Sequence, residues 1–323
     1  MLGSDSGVLV GHWTDEVART GCTVVVLPEG AVTSGEVRGG APASRDFGLL
    51  EPQRTVTAVD AVVLTGGSAF GLAAVDGVMT WCEEQGRGFQ TRAGRVPIVV
   101  GLALYDLAEG DSTVRPQPEA GYAAAQTARA QMPQLGRVGA GAGATMNKWR
   151  GPEHRKPGGL GGAVVQVGDV KVGALVAVNA AGDLNDGSVV AELVAGTYEH
   201  QVVDPFVASA DGAGCSTGNG AGDSAVSSTE VAATAEPASK PGSALDCTNT
   251  TIGVVVTNAA VDKLDCYLLA GTGHTGMARA LFPVHTQSDG DALVVAATGE
   301  VEAHHPLLGV MVAAAVEQAI RSA

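Results

Sequence analysis

The segment Leu245–Ala259, LDCTNTTIGVVVTNA, places a polar run directly before a β-branched run. Thr248–Thr251 carry only hydroxyls and one amide, whereas Ile252–Thr257 are almost entirely apolar. A continuous apolar run of this length is typical of a strand that is buried on both faces. The segment therefore predicts a buried strand with hydroxyl groups at its N-terminal end.

Similar runs elsewhere in the chain alternate with Ala-rich helical segments. Strands that are apolar on both faces need cover on both sides, which predicts an α/β protein built as a layered sandwich. The predicted strands are Gly7–Val10, Cys22–Leu27, Ala61–Thr65, Pro97–Leu104, a hairpin within Ala163–Ala177, Ile252–Thr257 and Ala292–Thr298. The predicted helices are Ser68–Gln85 (with Ser68 as N-cap), Glu119–Gln131, Ala191–His200, Val261–Leu269, Gly276–Leu281 and Pro306–Arg321.

Composition excludes several classes of protein. The 323 residues are 45% hydrophobic and 16% charged, a composition typical of a soluble globular protein with fewer charged residues than average. The net charge of −15 argues against nucleic-acid partners, which require clustered Lys and Arg. Because there is no long uninterrupted apolar run and no signal-peptide pattern at the N-terminus, we expect no membrane span and no export.

The cysteines and histidines are scattered along the chain. The cysteine count is odd and lacks CxxC spacing, which is typical of reduced thiols in a cytoplasmic protein: Cys22, Cys82, Cys215, Cys247 and Cys266. The seven histidines form no HExxH motif, and the acidic stretch at Asp289 fails the calcium-loop pattern at Leu293 and Val294. We therefore predict neither a metal nor another cofactor.

A low-complexity segment precedes the polar run. Of the 36 residues in Ser209–Ala244, 25 are Ala, Ser, Gly or Thr, so the segment cannot bury enough apolar surface to order itself and should be mobile. Two interpretations stay open, a linker between domains and a processing site. The elements after Asn249 are too few to close a core of their own, which favours a single domain over residues 1–323 with the loop inside it.

The chemistry available at Asn249 and Thr250 depends on a base for the threonine hydroxyl. When threonine is the first residue of a chain, its own α-amine can serve as that base. Such an amine arises if the Thr250 hydroxyl attacks the preceding carbonyl and water then hydrolyses the ester. An Asn-Thr-Thr turn is common, so these residues alone do not separate this chemistry from a plain turn.

Six motifs, in this order, resemble the L-aminopeptidase/D-esterase family of self-cleaving hydrolases, which includes β-peptidyl aminopeptidases and nylon-oligomer hydrolase. They extend over nearly the whole chain: VGHWTD (Val10–Asp15), VRGGAPASRD (Val37–Asp46), VVLTGGSAFGLAAVDGV (Val62–Val78), VPIV (Val96–Val99), GAGAGAT (Gly139–Thr145) and TTIGVVVTNA (Thr250–Ala259).

The resemblance implies a four-layer αββα sandwich of the N-terminal-nucleophile hydrolase type. It also implies self-cleavage between Asn249 and Thr250, giving an α chain of residues 1–249 and a β chain of residues 250–323. The expected activity is hydrolysis of small peptides or amides through an acyl-enzyme with Thr250 as nucleophile. Family members assemble several αβ units, so we expect a homo-oligomer.

The remaining site residues follow from the same resemblance. Asn179 matches the asparagine that donates to the oxyanion, and Lys148 matches a lysine whose charge lowers the pKa values of the nucleophile and its amine. Asp289 and Asp291 match paired acids that align the amine and hydroxyl. From the residues alone, the simpler interpretations are that Asn179 is a turn residue and Lys148 a solvated loop residue, and Asp289 could be part of a hairpin turn.

Substrate recognition is the least determined feature. Tyr105 matches a tyrosine that lines the family pocket. In the aminopeptidase branch, an acid two residues earlier binds the substrate ammonium, but this chain has Ala103. Exo- and endo-acting enzymes therefore both stay open. Two further alternatives are an acyl transferase resembling ornithine acetyltransferase and an uncleaved, non-enzymatic binding protein.

Overall fold

The computed structural model describes residues 6–198 and 249–323. The segment Ser209–Ala244, for which the sequence predicts mobility, lies outside the described residues. The strands are β1 (Leu9–Asp15), β2 (Thr20–Val26), β3 (Val32–Val37), β4 (Ala43–Arg45), β5 (Ala61–Thr65), β6 (Phe89–Thr91), β7 (Gly94–Val96), β8 (Val99–Ala103), β9 (Thr145–Met146), β10 (Lys156–Pro157), β11 (Gly159–Val167), β12 (Val170–Asn179), β13 (Asp183–Leu184), β14 (Thr250–Ala259), β15 (Leu281–Phe282) and β16 (Ala292–Val301). The helices are α1 (Ser68–Gly71), α2 (Ala74–Glu84), α3 (Pro118–Gln126), α4 (Ser188–Ala195), α5 (Lys263–Ala280) and α6 (His305–Arg321).

Two five-stranded sheets form the centre of the fold. The first has the strand order β1-β2-β5-β8-β4, and the second has the order β11-β12-β14-β16-β3. Strands β11 and β12 form the predicted hairpin about Gly168-Asp169. Strand β14 lies in the middle of the second sheet, antiparallel to β12 and parallel to β16, and all ten of its residues are buried.

Three apolar layers separate four layers of secondary structure. Between the sheets, Val62, Leu64 and Leu102 of the first sheet pack with Ile252 and Val294 of the second. Helices α2 and α3 cover the outer face of the first sheet. Helices α5 and α6 cover the outer face of the second. The predicted αββα sandwich is therefore confirmed, and its inner core consists mainly of valine, leucine and alanine.

The prediction of two helices within Val261–Leu281 is wrong, since α5 is continuous. Its start is defined by a capping box in which Asp262 and Asp265 each accept a backbone N–H from the other. The glycines that made the sequence look interrupted serve a packing role. A Cβ on Gly276 would lie 2.3 Å from the Ala313 carbonyl oxygen of α6, so glycine permits close contact between the two helices.

The prediction of one helix over Ser68–Gln85 also needs correction, because the structure divides it into α1 and α2. Ser68 does not act as N-cap: it has φ +55° and is the first helical residue, and Gly67 precedes it at φ +77°. The two left-handed residues turn the chain sharply after β5. In the ranges 6–198 and 249–323, every helix is too short or too polar to cross a membrane.

The hydrogen bonds of Lys263 allow the packing of α5 to be tested. Its buried ammonium donates to three main-chain carbonyl oxygens of the loop before β5, those of Leu49 (2.8 Å), Arg54 (3.0 Å) and Val56 (2.7 Å). Lys263→Met leaves these acceptors without their donor and should lower the free energy of unfolding by about 2–3 kcal/mol. Urea denaturation measures the difference, with Lys171→Met as control. Equal midpoints for the two variants would contradict this account.

Candidate active site

Thr250 and Asn179 meet where two neighbouring strands end. Thr250 is the first residue of β14, and Asn179 is the last residue of β12. The antiparallel register places the two residues directly opposite each other. Both are buried, Thr250 at 5% exposure and Asn179 at 0%. The sheet therefore brings together two predicted site residues that are far apart in the sequence.

The carbonyl group of Asn249 lies between a hydroxyl and an N–H donor. Thr250 Oγ1 is 2.5 Å from the Asn249 carbonyl oxygen, and the Gly290 N–H donates to the same oxygen at 2.8 Å. Since a C=O bond is about 1.2 Å long, the carbonyl carbon lies within about 3.7 Å of the hydroxyl. This is close to the separation from which an intramolecular attack can proceed, and the N–H donor is aimed at the oxygen that would become negative.

Gly290 could not carry a side chain without disturbing this arrangement. An added Cβ would lie 2.8 Å from Thr250 Oγ1 and 2.9 Å from the Ala41 carbonyl oxygen. Asn249 also forms a short parallel bridge with Asp289. Sequence reasoning considered Asp289 as one of two paired acids or as part of a turn with Gly290, and it missed the Gly290 N–H donor. A glycine between two acids just before a strand was the available signal.

Asp289 and Asp291 fix the chain segments on either side of the contact between Asn249 and Gly290. Asp291 Oδ1 accepts the Thr251 N–H at 2.6 Å, so this carboxylate fixes the second residue of β14. Asp289 Oδ2 accepts the N–H (2.8 Å) and the hydroxyl (2.5 Å) of Thr286, and its Oδ1 accepts the Ala181 N–H at 3.4 Å. Each aspartate is only 1% exposed. They therefore act as buried anchors as well as candidate catalytic groups.

Burial, followed by the nearby charge of Asp291, raises the pKa of Asp289 to about 6. Asp291 Oδ2 accepts two further bonds, from His285 N–H at 3.0 Å and His285 Nδ1 at 2.8 Å. Both acids are buried and both accept several donors, but they hold different segments: Asp289 holds the turn at Thr286, and Asp291 holds His285 and the start of β14.

Lys148 and Asn179 form a second cluster beside the first. Lys148 Nζ donates to Asn179 Oδ1 at 2.8 Å and to the Asn179 carbonyl oxygen at 3.1 Å. Asn179 Oδ1 also accepts the Thr145 N–H at 3.0 Å, and its Nδ2 donates to the Tyr105 carbonyl oxygen at 2.9 Å. The predicted lysine is therefore buried next to the predicted oxyanion donor, and the Tyr105 main chain orients that donor.

A carboxylate that sequence reasoning missed lies beside Thr145. The Tyr105 side chain is half-buried, and Ala103 is buried in β8. Glu109 Oε1 lies 3.3 Å from Thr145 Oγ1 and forms an ion pair with Arg155 at 2.7 Å. Because Thr145 also contacts Asn179, Glu109 supplies negative charge near the site, but Arg155 already neutralises part of it.

Cysteines and metal ligands contribute little to the described part of this site. Cys22, Cys82 and Cys266 are buried free thiols, and burial raises the pKa of each to about 12. Cys215 and Cys247 lie outside the described residues. In residues 6–198 and 249–323, no group of three or more His, Cys, Asp or Glu side chains could hold a metal ion.

Comparison with known proteins supplies the family. The chain is 38% identical over 314 residues to an uncharacterized aminopeptidase of Mycobacterium leprae, covering 92% of this chain and 78% of that protein. It is 29% identical over 307 residues to a 6-aminohexanoate-oligomer endohydrolase of Agromyces sp., covering 92% of this chain and 74% of that protein.

A solved structure agrees with the fold. The L-aminopeptidase D-Ala-esterase/amidase of Ochrobactrum anthropi, described as a variant of the N-terminal-nucleophile hydrolase fold, superposes with a TM-score of 0.65 at 17% identity. The alignment covers 99% of this chain and 86% of that one. The family model of Peptidase family S58 matches residues 5–323. This chain is therefore a member of Peptidase family S58 and belongs with the hydrolases of peptide and amide bonds.

Proposed function

We propose that the protein is a self-processing hydrolase whose nucleophile is Thr250, freed as a chain terminus by cleavage after Asn249. The observation that carries this proposal is the Asn249 carbonyl group, which lies between the Thr250 hydroxyl and the Gly290 N–H. Residues 1–249 and 250–323 then remain together as the α and β chains of one domain, because β14 pairs with β12 of the α chain.

Self-cleavage proceeds in two balanced steps. Thr250 Oγ1 attacks the Asn249 carbonyl carbon, and the Gly290 N–H stabilises the resulting oxyanion. The C–N bond breaks, the hydroxyl proton passes to the departing nitrogen, and an ester joins Asn249 to Thr250 Oγ1. Water then hydrolyses the ester, which leaves a carboxylate on Asn249 and both a free amine and a free hydroxyl on Thr250.

The new amine provides the base that an internal threonine lacks. It takes the Thr250 hydroxyl proton as the hydroxyl attacks a substrate amide, and Asn179 donates to the substrate oxyanion. Lys148, whose ammonium lies 2.8 Å from Asn179 Oδ1, lowers the pKa of the amine by its charge. The acyl group is carried on Thr250 until water releases it.

Asp289 and Asp291 have different roles in this mechanism. Asp291 holds Thr251 in place by accepting its main-chain N–H. Asp289, whose pKa is raised to about 6, is the acid that exchanges a proton near neutral pH, reaching Thr250 through water or a small side-chain movement. During self-cleavage the α-amine does not yet exist, so a carboxylate of this kind is the base that the first step requires.

The expected substrates are small peptides or amides, approached beside Tyr105. Within residues 6–198 and 249–323, Ala103 supplies no carboxylate where the aminopeptidase branch has one, and Arg155 partly neutralises Glu109. This favours neutral or internal amides over free amino termini. We propose a cytoplasmic location because the cysteines are scattered and odd in number, and we propose assembly of several αβ units because of the family resemblance.

Replacing the nucleophile tests the proposal. Thr250→Ala should stay uncut and should hydrolyse acyl and aminoacyl p-nitroanilides at least about a thousandfold more slowly, because no hydroxyl remains to carry the acyl group. Thr250→Ser, which keeps a hydroxyl, should still be cut. Thr251→Ala removes the neighbouring hydroxyl and serves as the matched control on denaturing gels. Normal cutting and turnover by Thr250→Ala would refute the mechanism.

The pH dependence of self-cleavage tests Asp289. Its pKa of about 6 lies above the ordinary aspartate value, so the carboxylate form needed as a base is lost as pH falls through about 6. The cleavage rate of freshly translated chain should level off above pH 7 and fall about tenfold per pH unit below 6.

Asp289→Asn should lower this rate and abolish the acidic limb, whereas Asp169→Asn, at an exposed hairpin turn, should change neither. Gel densitometry over time at each pH measures both rates. An unchanged profile in Asp289→Asn would exclude Asp289 as the base.

A further inference from the structure

We infer that His285 is a positioning residue for Thr250, acting through Asp291. The inference rests on the proposed function. His285 is connected to the nucleophile strand by one carboxylate: Asp291 accepts from His285 on Oδ2 and from the Thr251 N–H on Oδ1. His285 forms no hydrogen bond with the Thr250 hydroxyl or the Asn249 carbonyl group, so its effect is transmitted through the orientation of that carboxylate.

Two donors from one residue fix one oxygen of Asp291. The His285 main-chain N–H lies 3.0 Å from Oδ2, and its ring Nδ1 lies 2.8 Å from the same atom. Because a carboxylate only accepts hydrogen bonds, the hydrogen of the ring is assigned to Nδ1. With both donors in place, the plane of the carboxylate is set, and Oδ1 is held at 2.6 Å from the Thr251 nitrogen.

The backbone at His285 is strained in a way that these bonds explain. His285 has φ +55°, a left-handed conformation that is uncommon for residues other than glycine. Such conformations persist where the surrounding structure over-determines them, and they concentrate at functional sites. Here, the left-handed turn is what allows the main-chain N–H and the ring to reach the same carboxylate oxygen.

A second histidine packs against the imidazole ring of His285. His274 of α5 contacts the His285 ring edge to face, with centroids 4.8 Å apart and an interplanar angle of 76°. His274 is fully buried, and its Nε2 lies 3.1 Å from the Glu36 carbonyl oxygen. Burial lowers the pKa of His274 to about 4, so its ring is neutral at neutral pH.

These contacts give His285 a role in aligning the reacting groups. Loss of the Nδ1 donor leaves Asp291 Oδ2 with a single bond and frees the carboxylate to rotate. The Thr251 N–H then loses its fixed acceptor, and the first residues of β14 move relative to Gly290. Misplacement by a fraction of an ångström is enough to slow an intramolecular attack.

The test compares donor-retaining and donor-lacking replacements that tolerate a left-handed backbone. Asn in His285→Asn offers an N–H near the position of Nδ1, whereas His285→Gly offers none. We expect His285→Gly to slow self-cleavage about tenfold or more and to lower kcat with little change in KM, while His285→Asn stays within about threefold of the wild type. Thermal melts show that each variant folds.

A double-mutant cycle separates positioning through Asp291 from a general structural role. In an Asp291→Ala background, His285→Gly should slow self-cleavage by less than about twofold further, because no acceptor for His285 remains at position 291. Equal effects of His285→Gly in both backgrounds, or no rescue by His285→Asn, would overturn the inference. If His285→Gly does not fold, the near-isosteric pair His285→Asn and His285→Asp decides, since only Asn can donate.

Failure of this inference differs from failure of the proposed function. If the His285→Gly chain is cut before Thr250 at the wild-type rate, only the proposed role of His285 is refuted. If the wild-type protein is active without being cut before Thr250, the proposed function itself is refuted.

Discussion

The hydrogen bond from the Gly290 N–H to the Asn249 carbonyl oxygen is the contact on which the proposed chemistry depends. It holds the peptide bond before Thr250 within reach of the threonine hydroxyl and directs a donor at the oxygen that would become negative. The contact leaves no room for a side chain at Gly290. Much of the surrounding structure keeps these two short chain segments in register.

The sandwich supplies that register. Strand β14 is clamped between β12 and β16 in the centre of a sheet whose two faces are covered. Its first residues are then fixed individually, Thr250 opposite Asn179 and Thr251 by Asp291. A rigid strand that ends in a hydrogen-bonded junction is a suitable support for a nucleophile, because reacting atoms must be held within a fraction of an ångström.

Most strands of the two sheets, the layer order and family membership could be predicted from the sequence, because apolar runs and local motifs carry that information. The edge strands β3 and β4 were missed. The family resemblance also identified the residues that lie around Asn179 and Thr250 in the structure. Gly290, His285 and Glu109 could not be predicted in the same way, since their roles arise from contacts between distant segments. The continuous helix α5 was missed for a related reason: Gly276 looks like a break until the packing against Ala313 is seen.

The most direct test of the central claim is the intact mass of purified, active protein under denaturing conditions. The account predicts two species whose masses match residues 1–249 and 250–323, the smaller one beginning with an unmodified Thr250. A single 32.2 kDa species that retains full hydrolytic activity would contradict it.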